Sequence, residues 1–79
     1  ELVALYMNRQ EAEQARAIAE QGVHANPDSA MLHALFASVL AELGDMRGAQ
    51  REIKEAEEID PELPVVQEVR QYIDKAKKR

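Results

Sequence analysis

An all-α fold is predicted for this chain of 79 residues, which is long enough for one small domain spanning 1–79. Thirteen of its residues are alanine, and most of the others are good helix formers such as glutamate, glutamine, leucine, arginine and lysine. No segment alternates apolar and polar residues as a half-buried strand would. Turn residues are confined to three short clusters, at 26–29, 44–45 and 60–64.

These clusters divide the chain into five helical stretches, near 1–8, 11–25, 29–43, 46–59 and 64–77. Between the first two stretches, the sequence is compatible both with a break and with one continuous helix, because nothing near residues 8–10 forbids a helix. In the third stretch, apolar residues recur at steps of three and four and cover a wide face: Leu32, Leu35, Phe36, Val39, Leu40 and Leu43. We therefore expect this helix to be central and packed on two sides.

The last two stretches each carry one apolar stripe on an otherwise polar helix. The fourth has a narrow stripe of Met46, Ala49, Ile53 and Ala56. The fifth has a stripe of Val65, Val66, Val69, Tyr72, Ile73 and Ala76. Both helices are predicted to expose most of their remaining surface to water, and the last is expected to cap the domain.

Composition and charge exclude several functional classes. The chain has no cysteine, so a disulfide framework, a thiol nucleophile and a thiolate zinc site are excluded. No apolar stretch approaches the ~20 residues that span a bilayer. The net charge is −5, and four cations at the C-terminus leave residues 1–74 at −9, which argues against binding nucleic acid. A basic C-terminal tail could contact an anionic lipid, but cations in a last helical turn also complement its dipole.

A repeat emerges from the spacing of small residues and prolines. Pro27 and Pro61 lie 34 residues apart, and the same offset relates Ala15 to Ala49. It also relates Gly22 to a second alanine at position 56. Small residues at such positions let two helix axes approach closely, as a stacked helical hairpin requires.

With these residues in place, the sequence resembles the tetratricopeptide repeat family. Residues 30–63 resemble one complete repeat, in which the matching positions are Phe36, Ala37, Leu40, Gly44, Asp45, Ala49, Ile53, Ala56 and Pro61. His33 departs from the pattern, since the family usually has tryptophan there. Residues 1–29 resemble a partial first repeat, with Gln10 and Glu11 at its turn, and residues 64–79 resemble the capping helix that follows a last repeat. The resemblance implies a right-handed superhelical stack of antiparallel helix hairpins with a C-terminal capping helix.

Catalytic and metal-binding patterns are missing from the sequence. Neither His24 nor His33 has a second histidine at the spacing of a helical metal site, so packing roles are expected for both. Ser29 precedes a helix and is interpreted as its cap. Glycine occurs only at three positions and forms no phosphate-binding loop. We therefore expect no enzymatic activity, no metal and no cofactor.

A recognition function is predicted instead, because the first helices of stacked hairpins line a concave groove. The resemblance implies a groove lined by Ala4, Met7, Asn8, Met31, Ala34, Ser38, Ala41, Glu42 and Val65. Such small and apolar side chains would suit an apolar segment of a protein or peptide partner, with no nucleic acid or membrane involved. Alternatively, the two methionines pack against a neighbouring helix outside this sequence, since we expect the chain to be part of a longer one.

Assembly of identical chains is the second predicted function. In that interpretation, apolar residues near the N-terminus pair with those of another copy, and the domain is an oligomerisation element. These residues are Leu2, Val3, Leu5 and Tyr6.

Overall fold

A computed structural model describes residues 9–77 of the chain, and these residues are helical apart from short turns. The helices are α1 (Arg9–Ala25), α2 (Ala30–Glu42), α3 (Met46–Ile59) and α4 (Pro64–Lys77). The all-α prediction is confirmed for this part of the chain. The helix predicted for residues 1–8 lies outside the described residues.

The predicted helices agree with the structure to within one residue at every boundary that has described residues on both sides. The first described residues, 9–11, are already helical, so Gln10 and Glu11 lie within α1. The turn placed at these two residues was therefore wrong. Both are compatible with a helix interior, and neither glycine nor proline interrupts the segment.

Two caps fix where α2 and α3 begin. The side chain of Ser29 accepts a hydrogen bond from the backbone N–H of Leu32 at 3.2 Å, which confirms its predicted capping role. Asp45 accepts one from the N–H of Gly48 at 2.9 Å in the same way. Between α2 and α3, Gly44 has a φ of +88°, a backbone conformation that favours glycine.

Helix α2 is the centre of the fold. It packs against α1, α3 and α4, and α3 also packs against α4. The wide apolar face therefore correctly predicted the central helix. The core contains residues from α2, α3 and α4, and its fully buried members include Ala37, Ala49, Ile53, Ala56, Val66, Val69 and Ile73.

Small residues permit close packing at the predicted positions. Ala49 and Ala56 have no exposed surface. A β-carbon at Gly22 would lie 3.5 Å from the side chain of Leu32, so α1 passes close to α2 there.

A bidentate ion pair also connects α3 to α4. Arg70 donates from Nε and Nη2 to the two carboxylate oxygens of Glu57, both at 2.8 Å. The hydrogen bonds from Arg70 hold the pKa of Glu57 below its ordinary value, although partial burial acts in the opposite direction. The pair is about one-third exposed, so water screens much of its attraction.

Candidate partner-binding face

The predicted groove residues on α2 differ widely in exposure. Met31 is 52% exposed and Glu42 is partly exposed. Ala34 and Ser38 have no exposed surface, and Ala41 is buried as well. Of the groove residues predicted on this helix, Met31 and Glu42 are thus the two whose side chains a partner can reach.

Helical periodicity places Met31 and Glu42 on the same side of α2. They are 11 residues apart, which is three turns and only about 20° out of register. Ser38 lies between them on this side, and its hydroxyl donates to the carbonyl of Leu35 at 2.8 Å. The polar group of Ser38 is therefore satisfied within its own helix, and because Ser38 is fully buried it adds no surface between the two longer side chains.

Helix α4 contributes the other side of the same surface. Val65 and Tyr72 are partly buried, pack against the core and lie seven residues apart on one side of α4. The hydroxyl of Tyr72 donates to Oε1 of Glu42 at 3.0 Å. This hydrogen bond brings the sides of α2 and α4 together, and we call the surface formed by Met31, Glu42, Val65 and Tyr72 the α2/α4 face.

The dimensions of the α2/α4 face suit a short segment. Met31 and Glu42 are separated by about 16 Å along the helix axis, at 1.5 Å per residue. An extended peptide covers this distance with about five residues. The face combines a flexible thioether, a branched aliphatic group and an aromatic ring, with the carboxylate of Glu42 at one end.

The carboxylate of Glu42 gives this apolar surface one polar anchor. Its Oε1 accepts from Tyr72, which holds the group in place. A carboxylate has further acceptor sites on its second oxygen, so it can also accept from an N–H group or a cationic side chain of a partner. The arrangement can therefore bind apolar side chains and orient them by one charge-assisted hydrogen bond.

Tyr72 was not among the predicted groove residues. In the sequence it belongs to the apolar stripe of the last helix. It lies 34 residues after Ser38, just as Val65 lies 34 residues after Met31. Extending the repeat period into α4 would have identified it.

Several predicted residues lie outside the described part of the chain. For the groove these are Ala4, Met7 and Asn8, and for the assembly surface they are Leu2, Val3, Leu5 and Tyr6. On the neighbouring α1, Ile18 is a large apolar residue with 70% of its surface exposed.

The two histidines occupy different environments. His24 is exposed in the last turn of α1, whereas His33 is buried on α2. Within residues 9–77, no group of three or more histidine, cysteine, aspartate or glutamate side chains is arranged to hold a metal ion. No helix among these residues is long and apolar enough to cross a membrane.

Comparison with known proteins found no matching family model, no similar curated protein and no similar solved structure.

Proposed function

We propose that the chain is a non-enzymatic protein–protein interaction module that binds an apolar segment of a partner on the α2/α4 face. The observation that carries this proposal is the 52% exposure of Met31 on α2, the helix whose Glu42 accepts a hydrogen bond from Tyr72 of the packed α4. A half-exposed methionine on a central helix is an adaptable contact for apolar side chains.

The proposed architecture is a right-handed stack of tetratricopeptide-like hairpins. In this scheme, residues 1–29 are a partial repeat, 30–63 a complete repeat and 64–79 the capping helix. Three features support it: the 34-residue period, the complete burial of Ala49 and Ala56, and the packing of α2 against the helices on both sides of it.

The charge of the α2/α4 face favours a particular partner. Glu42 is the charged residue of the face, so an acidic segment would be repelled, and a partner with a basic side chain or a free N–H group would be preferred. The preferred ligand is therefore an apolar peptide of about five extended residues with a lysine or arginine near one end.

A selection from a random peptide library tests this proposal with a defined probe. The selected peptides should bind wild-type protein, and Met31→Glu should weaken their binding at least tenfold, because it places a charge in the apolar contact. Ile18→Glu is the matched control, since it makes the same change at an exposed apolar residue on α1. Equal binding by wild type and Met31→Glu would contradict the proposal, provided that circular dichroism shows both to be folded.

Assembly of identical chains is the second candidate, and the exposure of Ile18 on α1 supports it. This candidate predicts that light scattering detects a dimer whose population grows with concentration. Ile18→Glu or Leu5→Glu should then abolish the dimer while Met31→Glu leaves it intact. A monomer at millimolar concentration would contradict the assembly function.

A further inference from the structure

His33 joins three parts of the fold from a buried position. It lies in the first turn of α2 and is only 6% exposed. Its Nδ1 is 2.7 Å from Oε1 of Glu52 on α3. Its Nε2 is 2.8 Å from the carbonyl oxygen of Pro27, in the turn between α1 and α2.

Both partners of the ring are hydrogen-bond acceptors. The carbonyl of Pro27 has no proton to give, and an ionised carboxylate has none either. A neutral imidazole carries one N–H and can satisfy only one of them, whereas an imidazolium donates to both. A neutral imidazole beside a protonated carboxyl group has the same number of protons, but a carboxylate is a weaker base than an imidazole, so the proton belongs on the ring. Donation to both acceptors therefore takes one proton more than a neutral histidine beside a carboxylate provides.

The surrounding charges favour the same state. Burial is the largest single influence and by itself lowers the pKa of His33. It is outweighed by the hydrogen bonds to Glu52 and Pro27 and by the attraction of Glu52 and Glu55 on α3, so the pKa is raised above 6.5. The adjoining turn carries Asp28, and α1 ends near His24; both of these side chains are exposed.

We propose that His33 is a pH-dependent latch that fastens the turn between α1 and α2 to α3. When the proton is lost, the remaining N–H stays on the bond to Glu52, because a hydrogen bond to a carboxylate is stronger than one to a carbonyl. The lone pair on Nε2 then faces the carbonyl oxygen of Pro27, and the turn is released. Since α1 packs mainly against α2, this release loosens the attachment of α1 to the rest of the fold.

The direction of the pH dependence follows from the raised pKa. The native state binds the proton of His33 more tightly than the unfolded chain does. The contribution of protonated His33 to stability is therefore complete below pH 6.5. The contribution is lost as the pH rises through the native pKa of His33. For one proton, the unfolding constant rises at most about tenfold per pH unit within this interval.

Nitrogen NMR of the full chain with labelled histidine measures the proton count directly. Both ring nitrogens of His33 should keep the chemical shifts of an imidazolium above pH 6.5, the ordinary pKa of a histidine side chain. A titration midpoint of His33 at or below pH 6.5 would overturn the proposal. In Glu52→Gln, the amide oxygen still accepts a hydrogen bond but carries no charge, so the midpoint of the His33 titration should fall.

Two further measurements separate a latch from a merely structural contact. Urea unfolding between pH 6 and pH 9 should show the pH dependence in wild type and in His24→Gln, but a reduced dependence in His33→Gln and Glu52→Gln. Amide exchange should show that the N–H of Ser29, which donates to the carbonyl of Asn26 within the turn, loses protection as His33 deprotonates. Unchanged protection across the His33 titration would overturn the proposal even if the ring is charged at neutral pH.

Discussion

Replacing Ile53 by alanine tests the core where α2, α3 and α4 meet. Ile53 is among the largest side chains with no exposed surface, and it belongs to the buried cluster of these three helices. The change removes three carbon atoms, which are worth about 0.8 kcal/mol each when transferred from water. With the cavity that remains, we expect a loss of about 3–4 kcal/mol, within the range measured for such changes.

This loss is large for so small a domain. A stability of about 0.05–0.15 kcal/mol per residue gives a chain of 79 residues about 4–12 kcal/mol in total. Urea unfolding monitored by circular dichroism at 222 nm is a suitable assay. With a slope of about 1 kcal/mol per molar urea, the midpoint should fall by about 3 M, or the variant should be largely unfolded without urea.

Ile18→Ala provides the matched control, because it makes the same chemical change at a side chain that is 70% exposed. Its unfolding free energy should change by less than about 0.5 kcal/mol. The alanine also has the higher helix propensity, which favours α1 slightly. If the two variants unfold at the same urea concentration, Ile53 is not part of a tightly packed core and the reasoning fails.

Two further changes test the turn and the ion pair. Gly44→Ala should lower the free energy of unfolding by about 1–2 kcal/mol, because the φ of +88° is unfavourable for alanine. Gly22→Ala should be neutral or stabilising, since its new β-carbon makes only an ordinary contact. Similar thermal midpoints for the two variants would contradict this expectation. Glu57→Gln should cost no more than about 1 kcal/mol at pH 7, because its partner Arg70 is also partly exposed. Because the pKa of Glu57 is lowered in the folded protein, the stabilisation from the ion pair is lost as the pH falls. Glu57→Gln should therefore lose less stability than wild type between pH 5 and pH 3. Identical dependence of stability on acid pH in the two proteins would refute the role of the pair.

Much of the fold follows from local patterns in the sequence. Turn residues mark the ends of the helices because glycine, proline and the capping side chains act within one or two residues of where they stand. The wide apolar face of α2 and the narrow stripe of α3 predicted which helix is central, since burial must follow helical periodicity. Gln10 and Glu11 were wrongly placed in a turn because both residues are equally compatible with a turn and with a helix.

Contacts between helices were harder to predict. The pairing of His33 with Glu52 joins residues 19 positions apart on two helices, and no local spacing identifies it. The burial of Ala34 and Ser38 likewise depends on how closely neighbouring helices approach, which a periodic pattern does not determine. Tyr72 was a different case, because the 34-residue period already related it to a groove position. The candidate face was therefore only partly predictable from the sequence.

An NMR titration of the labelled full chain with a peptide selected from a random library would locate the binding site residue by residue. If the partner binds the α2/α4 face, amide shifts should change most at Met31, Glu42, Val65 and Tyr72, and binding should weaken at least tenfold in Met31→Glu. Shift changes concentrated around Ile18 on α1, with binding unaffected by Met31→Glu, would contradict the claim that this face is the binding site.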